Sequence, residues 1–115
     1  MEKEFANYNQ ALRLKELGFD ERCLKCYFKQ SGVLLDGHGN MYNTPAPLYQ
    51  QAFRWFREKY DYYISVFRTH DGNWGTDLWL LGVHKPKATV FGETYEEAEL
   101  ACLDKLIEIV GSKSE

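Results

Sequence analysis

Two cysteines separated by two residues, Cys23-Leu-Lys-Cys26, have the spacing of half a zinc site or of a redox pair, because that interval lets both sulfurs face one ion or each other. Tetrahedral zinc needs two more ligands. Cys102 stands alone in a helical stretch, and His38, His70 and His84 lack paired ligand spacing. A redox pair opens a helix, whereas Arg22 to Lys29 alternates as a strand, with Leu24, Cys26 and Phe28 on one face and Cys23, Lys25 and Tyr27 on the other. The cysteines therefore read as structural thiols, and neither metal nor cofactor is expected.

His38 and His70 fall in glycine-rich loops and His84 at a strand end, where a general base could sit. No Ser, Cys or carboxylate accompanies them in a nucleophile context, and the glycines of Asp36-Gly-His-Gly-Asn40 are not followed by the Gly-Lys-Ser/Thr of a phosphate loop. The reading is of surface histidines and a chain that is not an enzyme. A third constellation, Phe53-Arg-Trp-Phe-Arg57 with Lys59 and Tyr60, continuing through Tyr62, Tyr63 and Arg68, offers guanidinium and stacking groups to nucleic acid. The helical wheel places Trp55 and Phe56 on the buried arc and leaves Arg54 and Arg57 beside Glu58, a weak footprint.

The elements that would position these residues are legible. Tyr8 to Leu17 reads as a helix with Asn7 and Gln10 as a capping box, ended by Gly18 with Phe19 in a Schellman turn. Arg22–Lys29 and Val33–Leu35 form a hairpin through Gln30-Ser31-Gly32, and the loop Asp36–Asn40 with the next few residues is the best candidate for a flexible joint. Thr44-Pro-Ala-Pro47 predicts the opening of a second, amphipathic helix to about Tyr60. Tyr62–Arg68, Thr76–His84 and Ala88–Phe91 read as three antiparallel strands, and Thr94-Tyr-Glu-Glu97 caps a final helix to Val110, ended by Gly111.

The expected fold is therefore α+β: an N-terminal helix and short β-hairpin, then a helix, a three-stranded antiparallel sheet and a C-terminal helix packed on it. The 115 residues, 44% hydrophobic and 27% charged, fit one domain, with a helix-plus-hairpin subregion at 1–40 and an α-β-β-β-α core at 44–110. No apolar run reaches the roughly 20 residues of a membrane span, and Met1-Glu-Lys-Glu-Phe5 is unlike a signal peptide. With three cysteines, these features point to a cytoplasmic protein with reduced thiols. Residues 1–60 carry nine Lys/Arg against seven Asp/Glu, and residues 61–115 five against ten, a sign that discourages nucleic acid on the second half.

The final helix is predicted to be apolar over too wide an arc. Tyr95, Ala98, Cys102, Leu106, Ile109 and Val110 form one stripe, which Leu100, Leu103 and Ile107 extend well around. One sheet face cannot cover that arc. The first helix and hairpin folding back would cover it from within the chain; otherwise a homodimer or a protein partner does so. Leu100, Leu103 and Ile107, with Arg54 and Arg57 as a polar rim, are the expected interaction surface. The functional expectation is a non-enzymatic interaction or oligomerisation module, the alternative being a nucleic-acid-binding protein using the second helix and hairpin.

The order helix, three strands, helix over residues 44–110 resembles the double-stranded-RNA-binding domain. That family begins its last helix with phosphate-contacting lysines, where this chain has Glu96, Glu97 and Glu99, so the resemblance implies architecture alone. Three segments, Ala11–Asp20, Ala46–Tyr60 and Thr94–Ile107, together resemble small uncharacterised proteins of bacterial prophages and mobile elements. That resemblance implies a bacterial or phage setting and assigns no site.

Overall fold

The computed structural model describes residues 4–28, 31–38 and 43–113. Its elements run α1 (Tyr8–Glu16), β1 (Lys25–Phe28), β2 (Leu34–Asp36), β3 (Asn43–Ala46), α2 (Tyr49–Tyr60), β4 (Tyr62–Arg68), β5 (Trp74–Leu80), β6 (Ala88–Gly92) and α3 (Tyr95–Lys113). The class is α+β, with two antiparallel three-stranded sheets ordered β2-β1-β3 and β4-β5-β6. The chain forms two compact units, residues 1–51 and 52–115, whose boundary falls within α2. The loop after Asp36, expected as the joint, lies inside the first unit, and its Gly39 and Asn40 fall outside the described residues.

In the first unit, α1 is built as its sequence dictates. The Asn7 side chain accepts from the Gln10 amide at 2.8 Å, and the Gln10 side chain accepts from the Asn7 amide at 3.0 Å. Gly18 takes φ 101°, which lets the Phe19 amide reach back to the Leu14 carbonyl at 3.0 Å and close the helix. Phe5, Ala11, Tyr27 and Ala46 form a buried cluster with Tyr8, Leu34 and Leu48 packed against it. The Tyr27 hydroxyl donates to the Ala6 carbonyl at 2.6 Å, giving its buried oxygen a partner.

Three expectations fail in this unit, the first being the strand expected from Arg22, which begins at Lys25 and whose expected end, Lys29, lies outside the described residues. Thr44-Pro45-Ala46, read as the opening of α2, is strand β3, which pairs antiparallel with β1. Proline is compatible with this position because β3 lies at the sheet edge, and the helix begins only after Pro47 and the Phe5–Leu48 bridge. The return strand is Leu34–Asp36, one residue later than expected, which pairs Lys25 with Asp36; their side chains meet at 3.3 Å. Of the hairpin turn, Gln30 lies outside the described residues.

In the second unit α2 buries Ala52, Phe53, Trp55 and Phe56 and exposes Arg54, Arg57, Glu58 and Lys59, as its wheel requires. Asp61 then takes φ 61°, the only non-glycine residue with positive φ among those described, and reverses the chain into β4. Asp61→Gly relieves the left-handed cost of a Cβ and is expected to raise the unfolding free energy by about 0.5 kcal/mol, read as a higher urea midpoint.

The β4-β5 register pairs Tyr62 with Leu80 and Arg68 with Trp74; the β5-β6 register pairs Trp74 with Gly92 and Leu78 with Ala88. Strand β5 ends at Leu80, short of the expected His84, because Leu81-Gly82 turns the chain, with Gly82 at φ 86°. Helix α3 lies across β5 and β6. Its first turn is capped by Thr94, whose hydroxyl accepts from the Glu97 amide at 3.1 Å, while the Glu97 carboxylate accepts from the Glu93 amide at 2.9 Å. Gly111 does not end α3, which continues to Lys113. A helical glycine costs only about 1 kcal/mol, and no proline follows to force a stop.

Candidate functional surface

The cysteines are the first candidates, and all three are buried free thiols. Cys23 precedes β1, so strand alternation does not extend to it and does not fix its face relative to Cys26. Its amide donates to His38 Nδ1 at 3.1 Å, and its thiol donates to the Glu21 carbonyl at 3.5 Å. Burial first, then the negative charge of Glu21 and the neighbouring Cys26, push the Cys23 thiol up to about 12. Among the described residues no three His, Cys, Asp or Glu side chains gather as a metal site. His70 and His84 are exposed in the second unit.

Cys102 sits on the sheet-facing side of α3 with 0% exposure. Burial raises its thiol to about 12; the nearby Thr76 hydroxyl opposes that, and Glu99 adds to it. A raised folded-state value favours the protonated thiol, so its contribution to stability is complete below the ordinary value of 9.0 and disappears as pH climbs towards 12. At pH 10 the Cys102 contribution should already have fallen by roughly 1 kcal/mol. Urea midpoints between pH 8 and 10.5 test this, and Cys102→Ala should make the decline shallower, leaving the part that belongs to Cys23.

The expected interaction surface on α3 is not a surface. Leu103 is 0% and Ile107 1% exposed, so the arc that seemed too wide for one sheet is covered within the chain itself. Leu100 alone of the three reaches solvent, at 38% exposure, and Arg54 and Arg57 stand exposed on α2. The extra apolar width of α3 is core.

Apolar side chains remain open in both units: aliphatic ones with Phe28 on the first sheet and its flanks, Leu24, Phe28, Val33 and Leu35, and an aromatic group on the second sheet, on the face away from α3. Strand alternation puts Tyr62, Ile64, Thr76, Leu78, Ala88 and Val90 on the helix side and Tyr63, Ser65, Phe67, Asp77, Trp79, Thr89 and Phe91 on the other. On the open side the register builds three rows. Tyr63 and Trp79 form the first, their rings nearly parallel at 6.3 Å. Ser65, Asp77 and Thr89 form the second: the Trp79 indole N–H donates to Ser65 Oγ at 3.2 Å, and the Thr89 hydroxyl to Asp77 Oδ1 at 2.6 Å. Phe67, Gly75 and Phe91 form the third, the two rings meeting edge to face at 6.1 Å.

Gly75 explains that third row. A Cβ there would lie 2.4 Å from Phe67 Cζ, so the ring occupies the space above the strand that any other residue would fill. Tyr63, Phe67 and Phe91 are 40%, 36% and 59% exposed. Isolated exposed apolar side chains are ordinary, but aromatic rings contiguous across three strands mark a contact surface.

Sequence reasoning named Tyr63 but not Trp79, Phe67 or Phe91 as a group. The signal was present in the alternation of β4, yet the register with β5 and β6 that aligns the aromatics depends on where the turns fall. No protein-family model, curated protein or solved structure matches this chain.

Proposed function

We propose that this chain is a non-enzymatic protein-interaction module, of a bacterial prophage or mobile element, that binds its partner through the open aromatic face of the β4-β5-β6 sheet. The observation that carries the reading is the pair of aromatic rows, Tyr63/Trp79 and Phe67/Phe91, with Tyr63, Phe67 and Phe91 exposed and Trp79 half-buried, on a sheet whose opposite face is packed under α3. Aromatic side chains supply large contact area with little rotamer freedom to lose, which is why they concentrate at the centres of interfaces. The setting rests on the likeness of the Ala11–Asp20, Ala46–Tyr60 and Thr94–Ile107 segments to proteins of such elements.

Nucleic acid is less well served. Trp55 and Phe56 of the basic helix are buried and leave no stacking platform beside Arg54 and Arg57. The sheet face has rings but centres on the carboxylate of Asp77, in a half of the chain with ten acidic against five basic residues.

A photo-crosslinking amino acid at position 91 tests the proposal, with the exposed position 58 of α2 as control. Partner adducts are expected from position 91, and Trp79→Ser should suppress them while thermal unfolding remains cooperative. Adduct yields from position 91 no greater than from position 58 would sink the reading. An adduct of twice the chain mass would identify the partner as a second copy.

A further inference from the structure

The middle row of the open face points to the chemistry of the partner. Asp77 lies at the centre of the sheet, with Ser65 and Thr89 on either side across the strands. Along the strands it stands between the two aromatic rows, Trp79 two residues after it and Gly75, under the Phe67 ring, two residues before. Residues two apart on a strand face the same way about 7 Å apart, so each aromatic row flanks Asp77 within reach of a side chain that pairs with its carboxylate. The carboxylate is thus flanked along the strands by an aromatic row on each side.

The structure assigns this carboxylate between aromatic rows to a cationic side chain, an arginine or lysine carried by the partner protein; the inference rests on the reading of this face as an interaction surface. Both components of such a site are present: ring faces that attract a cation and an acidic group that pairs with it. One carboxylate oxygen, Oδ1, takes the Thr89 hydroxyl, which fixes the group and leaves Oδ2 as the natural acceptor for the incoming cation. The same sheet already makes such a contact on its other face, where the Arg68 guanidinium lies 5.0 Å from the Trp74 ring centre. The ten acidic against five basic residues of 61–115 give a field that draws a basic segment in.

The same charge argues against self-pairing. A two-fold pairing of this face brings its central row against itself, and the two Asp77 carboxylates would meet in a water-poor contact. A basic, apolar segment of a different protein meets neither obstacle.

The test uses the whole chain, labelled with nitrogen-15, titrated with acetyl-Leu-Arg-Leu-amide and with the same tripeptide carrying citrulline, which keeps the shape but loses the charge. The arginine peptide should shift the Trp79 indole N–H and the amides of Ser65, Asp77 and Thr89, saturating in the millimolar range. Citrulline in its place, or Asp77→Asn in the protein, should weaken binding at least about fivefold, and added salt should weaken only the arginine peptide. Equal binding of the two peptides would overturn the cation assignment while leaving the aromatic face as an interaction surface. No shift with either peptide, or larger shifts at these signals with a thymidine decamer, would overturn it too. Crosslinking from position 91 judges the underlying reading separately.

Discussion

Leu103→Asp is expected to unfold the chain. Leu103 is fully buried in α3, so the substitution removes about 2–3 kcal/mol of apolar burial and adds the cost of sequestering a carboxyl group, several kcal/mol more. The sum approaches the whole stability of a domain, about 5–15 kcal/mol. Far-UV circular dichroism at 25 °C should show loss of helix, whereas Leu100→Asp, on the half-exposed side of the same helix, should stay folded within about 1 kcal/mol of the parent. A folded Leu103→Asp protein that differs only in solution mass would show instead that this flank is a contact surface between molecules.

Gly92→Ala is the second large effect, and its cause is purely steric. A Cβ on Gly92 would lie 2.5 Å from the Ala98 amide nitrogen and 2.8 Å from the Glu97 carbonyl carbon. Both are backbone atoms of the first turn of α3, so no side-chain rotation relieves the overlap; either the helix lifts from β6 or the strand bends. The expected loss is about 3 kcal/mol, the upper end of overpacking. Gly111→Ala is the control, since nothing lies within 4 Å of its Cβ, and a helical alanine there should stabilise by about 1 kcal/mol. Urea denaturation of the two variants should therefore move midpoints in opposite directions.

Most of the architecture is legible in the residues. Asn7 with Gln10, Gly18 with Phe19, and Thr94 announce helix ends by side chains whose chemistry is local, and each is found in its predicted role. Strand β4 follows from the β-branched and aromatic run Tyr62–Arg68 and matches it at both ends. What the residues conceal is whatever depends on distant partners. Thr44-Pro-Ala-Pro47 carries the composition of a helix opening, and only pairing with β1 makes its first three residues a strand. The arc of α3 looks too wide for its sheet on periodicity alone, which reports which residues are apolar and not how many neighbours surround them.

The candidate surface was hidden for the same reason. Phe67 and Phe91 are 24 positions apart in the sequence, and nothing local in either segment predicts that Gly75 will stand between them. A wheel or an alternation pattern assigns faces within one element. Aromatic rows built across three strands require the register, which is fixed by the turns at Gly72 and Gly82 and by the close approach at Gly92.

The missing side chain at Gly75 also bears on how tightly a partner can be held. With the Phe67 ring lying over bare backbone and braced edge-on by Phe91, its torsions are restricted before anything arrives. Freezing a free side chain at an interface costs about 0.5–1.5 kcal/mol, and here folding has already met much of that cost. The glycine thus acts on recognition without touching the partner, by deciding how ordered the surface is while it waits.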